Sequence, residues 1–219
     1  MDARQLVLVT TPDWKADHGM LRLYQRATAR DAWTPAGEAA PVMVGRNGLG
    51  WGRGLVPAPK DGGPVKAEGD GRAPAGLFRV GPAFAYDPAE LAPTPRMPVR
   101  TADTDLLCVD DTKSTHYNSW VNLSETPVHD WDSCENMRRT DERYRFGLWV
   151  DHNTDPAEPG AGSCIFLHVW LTPETNTSGC TAMDQGVIRG LIGRLDPAAR
   201  PVLLQVPRAE LARFTDIAP

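Results

Sequence analysis

The stretch "SCIFLHVWLTPETNTSGCTAMDQGVIRGLIGRLDP", residues 163–197, carries two periodicities separated by one loop. From Ile165 to Trp170 the side chains alternate. Phe166, His168 and Trp170 fall on one face, and Ile165, Leu167 and Val169 on the other, as in a strand. Beyond the loop Leu171 to Thr177 the period lengthens. Val187, Ile188, Leu191, Ile192 and Leu195 share one face of a helix, which Asp196-Pro197 should end. Between the two lies Cys180, directly after Ser178-Gly179.

Outward from this stretch the chain reads mostly as strands. "RQLVLVTT", "MLRLYQRA", "APVMVGR", "GLFRVGP", "RYRFGLWVDHN" and "RPVLLQVP" are short, rich in β-branched or aromatic residues, and bounded by Gly, Pro, Asp or Asn. In "RYRFGLWV", alternation puts Tyr144, Phe146, Leu148 and Val150 on one face. A second short helix is expected in "DWDSCENMRRTDER", residues 130–143. The Pro/Gly-rich region 57–76 reads as a surface loop, and "GRNGLGWGRGL" as a glycine-rich hairpin turn rather than a phosphate loop, since no Lys-Ser/Thr ending follows. The expected class is a mainly β chain with a few short helices (β-rich α+β), folded as a single domain over residues 1–219.

Composition narrows the chemistry. A net charge of −5 with no Lys/Arg cluster disfavours nucleic acid as a partner. No run of ~18 apolar residues suggests a transmembrane segment, and the opening "MDARQLVLVTTPDW" lacks the features of a signal peptide. The four cysteines, Cys108, Cys134, Cys164 and Cys180, include no C-x-x-C pair and no histidine at zinc-ligand spacing, so no metal and no cofactor are expected. If Cys180 stays a thiol, the other three allow one bridge and one leftover, with the pairing open. The acidic runs Asp103-Thr104-Asp105 and Asp110-Asp111 read as solvated turns.

Thr181 followed three residues later by Asp184 resembles a capping box, which would start the helix at Thr181 and put Cys180 just before its N-terminus. Free N–H groups and the helix dipole there would favour a thiolate. The loop Leu171 to Thr177 would reverse the chain and bring Cys180 within reach of His168, a nucleophile beside a base. The N–H groups of Gly179 and Cys180 are then candidates for an oxyanion hole.

"SCIFLHVW", "TSGCTAMD", "GDGRAPAGLFRVGPAF" and "CVDDTKSTHYNSWVN" together resemble the catalytic domain of the L,D-transpeptidases, the YkuD-like family of bacterial cell-wall enzymes, over about Arg4 to Pro207. The family's histidine and Ser/Thr-x-Gly-Cys turn match His168, Thr177, Gly179 and Cys180. Its G-D-x-x-x-P-x-G-x-F run matches Gly69, Asp70, Pro74, Gly76 and Phe78. Three departures mark a divergent branch: eight residues separate His168 from Thr177, Ser178 precedes Gly-Cys, and Ala182 stands where relatives often carry Arg or Asn.

The resemblance implies a β-sandwich or barrel with a helix after the cysteine, and a periplasmic or cell-wall location. It implies acyl transfer between peptidoglycan stem peptides, donor and acceptor, through a Cys180 thioester with His168 as base, and covalent inhibition by carbapenems. The alternatives are a cysteine hydrolase on the same scaffold and a non-catalytic wall-binding module. Thr177, Ser178, Thr181 and Trp170 are the expected substrate contacts around the nucleophile. His152 and Asn153 at a strand end, and His116, Tyr117 and Asn118 in "STHYNSWV", are further candidates for the cleft.

Overall fold

The computed structural model describes residues 1–219 and contains fourteen strands and one α-helix. In chain order they are β1 (Gln5–Thr11), β2 (His18–Gln25), β3 (Thr34–Pro35), β4 (Ala40–Met43), β5 (Leu49–Trp51), β6 (Ala73–Ala85), β7 (Val99–Thr101), β8 (Leu106–Val109), β9 (Ser119–Asn122), β10 (Cys134–Asn136), β11 (Phe146–Val150), β12 (Phe166–Val169), β13 (Thr181–Met183), α1 (Gln185–Arg194) and β14 (Val202–Pro207). The chain is mainly β, as the sequence indicates. No helix is long and apolar enough to cross a membrane.

Strands β1, β14, β6, β11, β12, β13, β4 and β2 follow one another in hydrogen-bonded order, and β2 pairs back onto β1, closing a barrel. Closure removes the two unpaired edges that an open sheet would leave. The ladders β1–β14 and β12–β13 are parallel; the other six neighbours are antiparallel.

Alternation sorts side chains between two cores. Leu77, Phe78, Phe146, Leu148, Val150, Leu167 and Val169 join the larger core, together with Ile188, Leu191, Ile192 and Leu195 from α1 and the residue after it. The opposite face of β6, β11 and β12 carries Phe84, Trp149 and Phe166 into a smaller core with Leu106, Cys108, Met137, Tyr144, Cys164 and Cys180. This second core lies between the barrel wall and a three-stranded antiparallel sheet in the order β10-β8-β9. A Cys108–Cys164 disulfide ties the small sheet to the barrel, leaving Cys134 and Cys180 as thiols. Within the barrel wall Gly147 makes room for the Phe84 ring: a Cβ there would lie 2.1 Å from Cζ of Phe84 and 2.8 Å from the Leu167 carbonyl oxygen.

Five local expectations change. Residues 130–143 form no helix; Cys134–Asn136 pair instead with Leu107–Val109. The buried apolar residues of that stretch, Trp131 and Met137, do not repeat at helical spacing, and they enter different clusters. Tyr144 lies before β11 and joins the smaller core rather than the face of Phe146, Leu148 and Val150. "GRNGLGWGRGL" is not a hairpin: β4 pairs with β13 and β2, while β5 pairs in parallel with β6. The region 57–76 is a loop only in part, because β6 already begins at Ala73.

The fifth change concerns the helix after the cysteine. It starts at Gln185, capped by the Asp184 carboxylate, which accepts from the Gly186 N–H at 2.7 Å. Thr181–Met183 form a buried strand between β12 and β4, and the Thr181 hydroxyl donates to Gln205 Oε1 at 2.7 Å. Asp184 is thus the cap itself, and Cys180 stands at the mouth of a strand. The loop from Trp170 to Cys180 is accordingly a crossover between parallel strands, not a reversal.

Candidate active site

The turn that presents Cys180 is fixed on both sides. The Thr177 N–H donates to the Val44 carbonyl (3.0 Å), and the Arg46 N–H to the Thr177 carbonyl (2.8 Å), binding the turn to the segment after β4. On its other side Gly45 lets the Gly71–Ala73 segment come close, since a Cβ there would lie 2.4 Å from the Gly71 carbonyl oxygen. The Thr177 hydroxyl donates to the Cys180 carbonyl at 2.6 Å and accepts from the Gly179 N–H at 3.2 Å. One of the two expected oxyanion donors is therefore engaged. The Cys180 N–H has no acceptor among protein groups and remains available.

Cys180 is 8% exposed and His168 5%, so protonation at both is governed by burial. The thiol donates to the Cys164 carbonyl at 3.6 Å and its sulfur accepts from the Phe166 N–H at 3.3 Å. Burial, reinforced by the nearby Glu135, pushes the Cys180 pKa up to about 12, while the Phe166 N–H, Lys66 and Arg139 pull it down. The expected helix-dipole activation is absent because no helix starts there. At His168, burial drives the pKa down to about 4 against the opposing hydrogen bond to Val169. The Val169 carbonyl can only accept, at 2.7 Å, so Nδ1 carries the proton and Nε2 is a free lone pair. No hydrogen bond joins the imidazole to the thiol; both side chains line the same cleft of about 390 Å³.

The rest of the cleft wall comes from the segment around Lys66 to Gly69, from Glu135 on β10 with Arg139 and Arg143 beyond it, and from Ser163. Asp70, from the Gly69-Asp70-Gly71 turn, accepts from Lys66 Nζ (2.7 Å), the Ala67 N–H (2.8 Å) and the Arg72 N–H (2.9 Å), which fixes that turn beside Glu68. Glu68 accepts from the Tyr117 hydroxyl at 2.5 Å and the Ser163 hydroxyl at 2.7 Å. Glu135, on β10, accepts from the Tyr144 hydroxyl, and the Tyr144 ring lies edge-on to His168 with centroids 5.2 Å apart. Burial raises the Glu135 pKa first, with further upward pushes from Asp110 and Glu68 against the Tyr144 hydrogen bond and Arg139. Arg139 and Arg143 line the cleft while pairing with Asp141 at 3.3 and 2.7 Å.

The predicted residues separate accordingly. Cys180, His168, Gly179, Thr177, Ser178 and Trp170 line the cleft. Thr181 does not, because its hydroxyl is buried against Gln205 on the barrel side. His152 is also outside: Nε2 donates to the Ala161 carbonyl at 3.0 Å and Nδ1 accepts from the Arg53 N–H at 3.2 Å, so it holds a loop rather than orienting His168. The Asn153 amide donates to the Glu158 and Gly162 carbonyls, both at 2.9 Å, and Asn153 lines a different cavity. Asn118 is buried, donating to the His152 and Asn153 carbonyls and accepting from the Cys164 N–H. These two asparagines and His152 brace the loop leading into β12. Tyr117 reaches the cleft only through Glu68, and His116 packs edge-on to Trp131 on the small sheet.

Sequence reasoning missed Lys66, Glu68, Glu135, Arg139, Arg143, Tyr144 and Ser163. Glu68 and Lys66 abut the quoted "GDG" run, which was a usable signal. Arg139 and Arg143 lie in the stretch whose expected helix does not form, and nothing in the spacing pairs Glu135 with Tyr144. A larger cavity of about 790 Å³, lined by Arg53, Arg79, Asp151 and Glu158 among others, contains neither Cys180 nor His168.

No family model matches the chain, and no curated protein matches it.

Proposed function

We propose that this protein is a cysteine acyltransferase of the L,D-transpeptidase kind, acting on peptidoglycan stem peptides. The observation that carries the reading is the pairing, in one cleft, of a thiol with an imidazole whose Nδ1–H is committed to a main-chain carbonyl. That commitment fixes the tautomer and leaves Nε2 as the basic atom of the ring. The closed barrel and the Thr177–Cys180 turn support this reading, as does the Asp70-centred turn that lies on the other quoted motif.

In this reading the resting pair is thiol and neutral imidazole, because burial disfavours both charged forms. Proton transfer to His168 Nε2 then accompanies attack of sulfur on the carbonyl carbon of the stem peptide. The C–N bond breaks, the imidazolium returns the proton to the departing amine, and a thioester remains on Cys180. The Cys180 N–H supplies an oxyanion contact worth on the order of 3 kcal/mol. A second amine resolves the thioester into a cross-link. The Cys108–Cys164 disulfide supports an oxidising compartment, in keeping with a periplasmic or cell-wall location.

The test is intact-mass detection of the acyl adduct after incubation with a disaccharide tetrapeptide, and of the carbapenem adduct. Cys180→Ala should abolish both, and His168→Ala should slow acylation roughly 10²–10⁴-fold. Adduct formation undiminished by Cys180→Ala would remove the mechanism. Cross-linked dimer among the products distinguishes transfer from hydrolysis.

A further inference from the structure

Acyl transfer through a thioester has a second half with its own proton to move. Once the first amine has left, the proton of the thiol has left with it, and His168 is neutral again with Nδ1–H committed to the Val169 carbonyl. The sulfur still has to depart from carbon. Burial, which pushes the Cys180 thiol up to about 12, makes a bare thiolate a poor leaving group here, so a proton has to reach the sulfur as the C–S bond breaks. The second amine brings that proton, because its nitrogen becomes cationic on bonding to carbon and readily gives one up.

One carboxylate of the cleft is built to carry it. Glu135 stands on β10 of the small sheet, and Tyr144 separates it from His168: the Tyr144 ring meets the imidazole edge-on with centroids 5.2 Å apart, and the Tyr144 hydroxyl donates to Glu135 Oε2. Oε1 has no protein partner, and Glu135 lines the same cleft as Cys180 and His168. The cations of that cleft are engaged elsewhere, Lys66 with Asp70 and both Arg139 and Arg143 with Asp141, so no ion pair closes off Oε1. Tyr144 is a firm anchor. It is 5% exposed, with Phe84 and Phe166 edge-on to its ring and the Arg139 guanidinium 5.2 Å above it. Burial raises the proton affinity of Glu135, with Asp110 and Glu68 adding to it against the Tyr144 hydrogen bond and Arg139, which makes it a stronger base than an exposed carboxylate. Glu68 also lines the cleft, but Glu135 is the carboxylate whose charge acts most on the Cys180 thiol.

We propose that Glu135 is the general base of the second half-reaction, taking the proton from the amine that attacks the thioester and delivering it to the Cys180 sulfur. The C–N bond forms, the C–S bond breaks, and the proton passes from nitrogen to Oε1 to sulfur. Glu135 ends as carboxylate and Cys180 as thiol, with no other reactant consumed. His168 serves the first amine and Glu135 the second. Tyr144 is a positioning residue that pins Oε2 and leaves Oε1 to face the amine. This assignment deepens the acyltransferase reading and rests on it.

The test separates the two halves. The protein is acylated with a disaccharide tetrapeptide, a D-amino acid is added as the second amine, and intact mass follows both formation and resolution of the thioester. Glu135→Gln, whose amide oxygen still accepts from Tyr144, should form the thioester within about twofold of the wild-type rate and resolve it roughly tenfold or more slowly, so that acyl-enzyme accumulates. Formate should restore resolution in Glu135→Ala, and Tyr144→Phe should slow resolution more than formation. Resolution by Glu135→Gln at the wild-type rate overturns the proposal alone, since His168 then moves both protons. Formation and resolution slowed by equal factors overturn it as well, because that is the mark of a structural role. A wild-type protein that forms no thioester overturns the acyltransferase reading itself, and the proposal with it.

Discussion

At the scale of single residues, burial outweighs the local motif. The Ser178-Gly179-Cys180 turn reads as an activated cysteine, yet the thiol sits 8% exposed among aromatic rings with Glu135 nearby, so its neutral form is favoured. The same physics acts on His168 and on His152, both lowered to about 4 chiefly by burial. A histidine that is neutral when folded and near 6.5 when unfolded leaves stability unchanged above pH 6.5. Stability is then lost as pH falls toward 4, because only the unfolded chain takes up the proton. At pH 5 the loss is about 2 kcal/mol for each histidine, to an order of magnitude. Urea unfolding midpoints at pH 8 and pH 5 check this, and His152→Asn should recover part of the difference. A midpoint independent of pH over this range contradicts buried neutral histidines. Asp141 behaves in the opposite chemical sense over a lower window. Held down to about 2 mainly by the Arg143 hydrogen bond, it supports stability above pH 4 and loses it as the carboxylate protonates.

At the scale of elements, the cleft depends on packing within the barrel wall and on the covalent tie between that wall and the small sheet. Gly147 pairs with His168 across β11–β12, and its missing side chain is where the Phe84 ring lies. Gly147→Ala should cost about 1–3 kcal/mol through overpacking, and more if the Phe84 ring cannot move. Calorimetry would show a lower melting temperature, by roughly 2–4 °C for each kcal/mol. The Cys108–Cys164 bridge closes a 56-residue separation and holds the sheet that carries Glu135. Replacing both cysteines by alanine should cost about 4 kcal/mol by chain entropy. It should also loosen β8–β10 selectively, read as faster amide exchange in Leu106–Val109 than in β14.

At the scale of the whole molecule, barrel closure makes the larger core one cooperative body. Phe78 is fully buried within it, and Phe78→Ala should destabilise by about 3–5 kcal/mol. Val128, 88% exposed, should tolerate alanine within about 0.5 kcal/mol. Comparable losses at the two positions, measured by urea unfolding, would contradict a packed barrel interior. Closure also explains the second core. Once β6, β11 and β12 have given one face to the interior, the other still carries Phe84, Trp149 and Phe166, and the small sheet is what covers it.

The sequence alone determined the strand-rich class, the alternating faces of β12, the apolar face of α1 and the residues Cys180 and His168. Each is a local pattern, repeated within a few residues of chain. Only the tertiary structure decided that residues 130–143 form no helix and that Cys134–Asn136 among them pair with β8, that Thr181–Met183 are a strand and not the first turn of a helix, and that His152 and Asn118 are braces. It alone brought Glu68 and Glu135 to the cysteine. The reason is physical: those outcomes depend on partners dozens of residues away, through ladder hydrogen bonds, burial and charge, and such energies leave no period in the sequence for a short window to read.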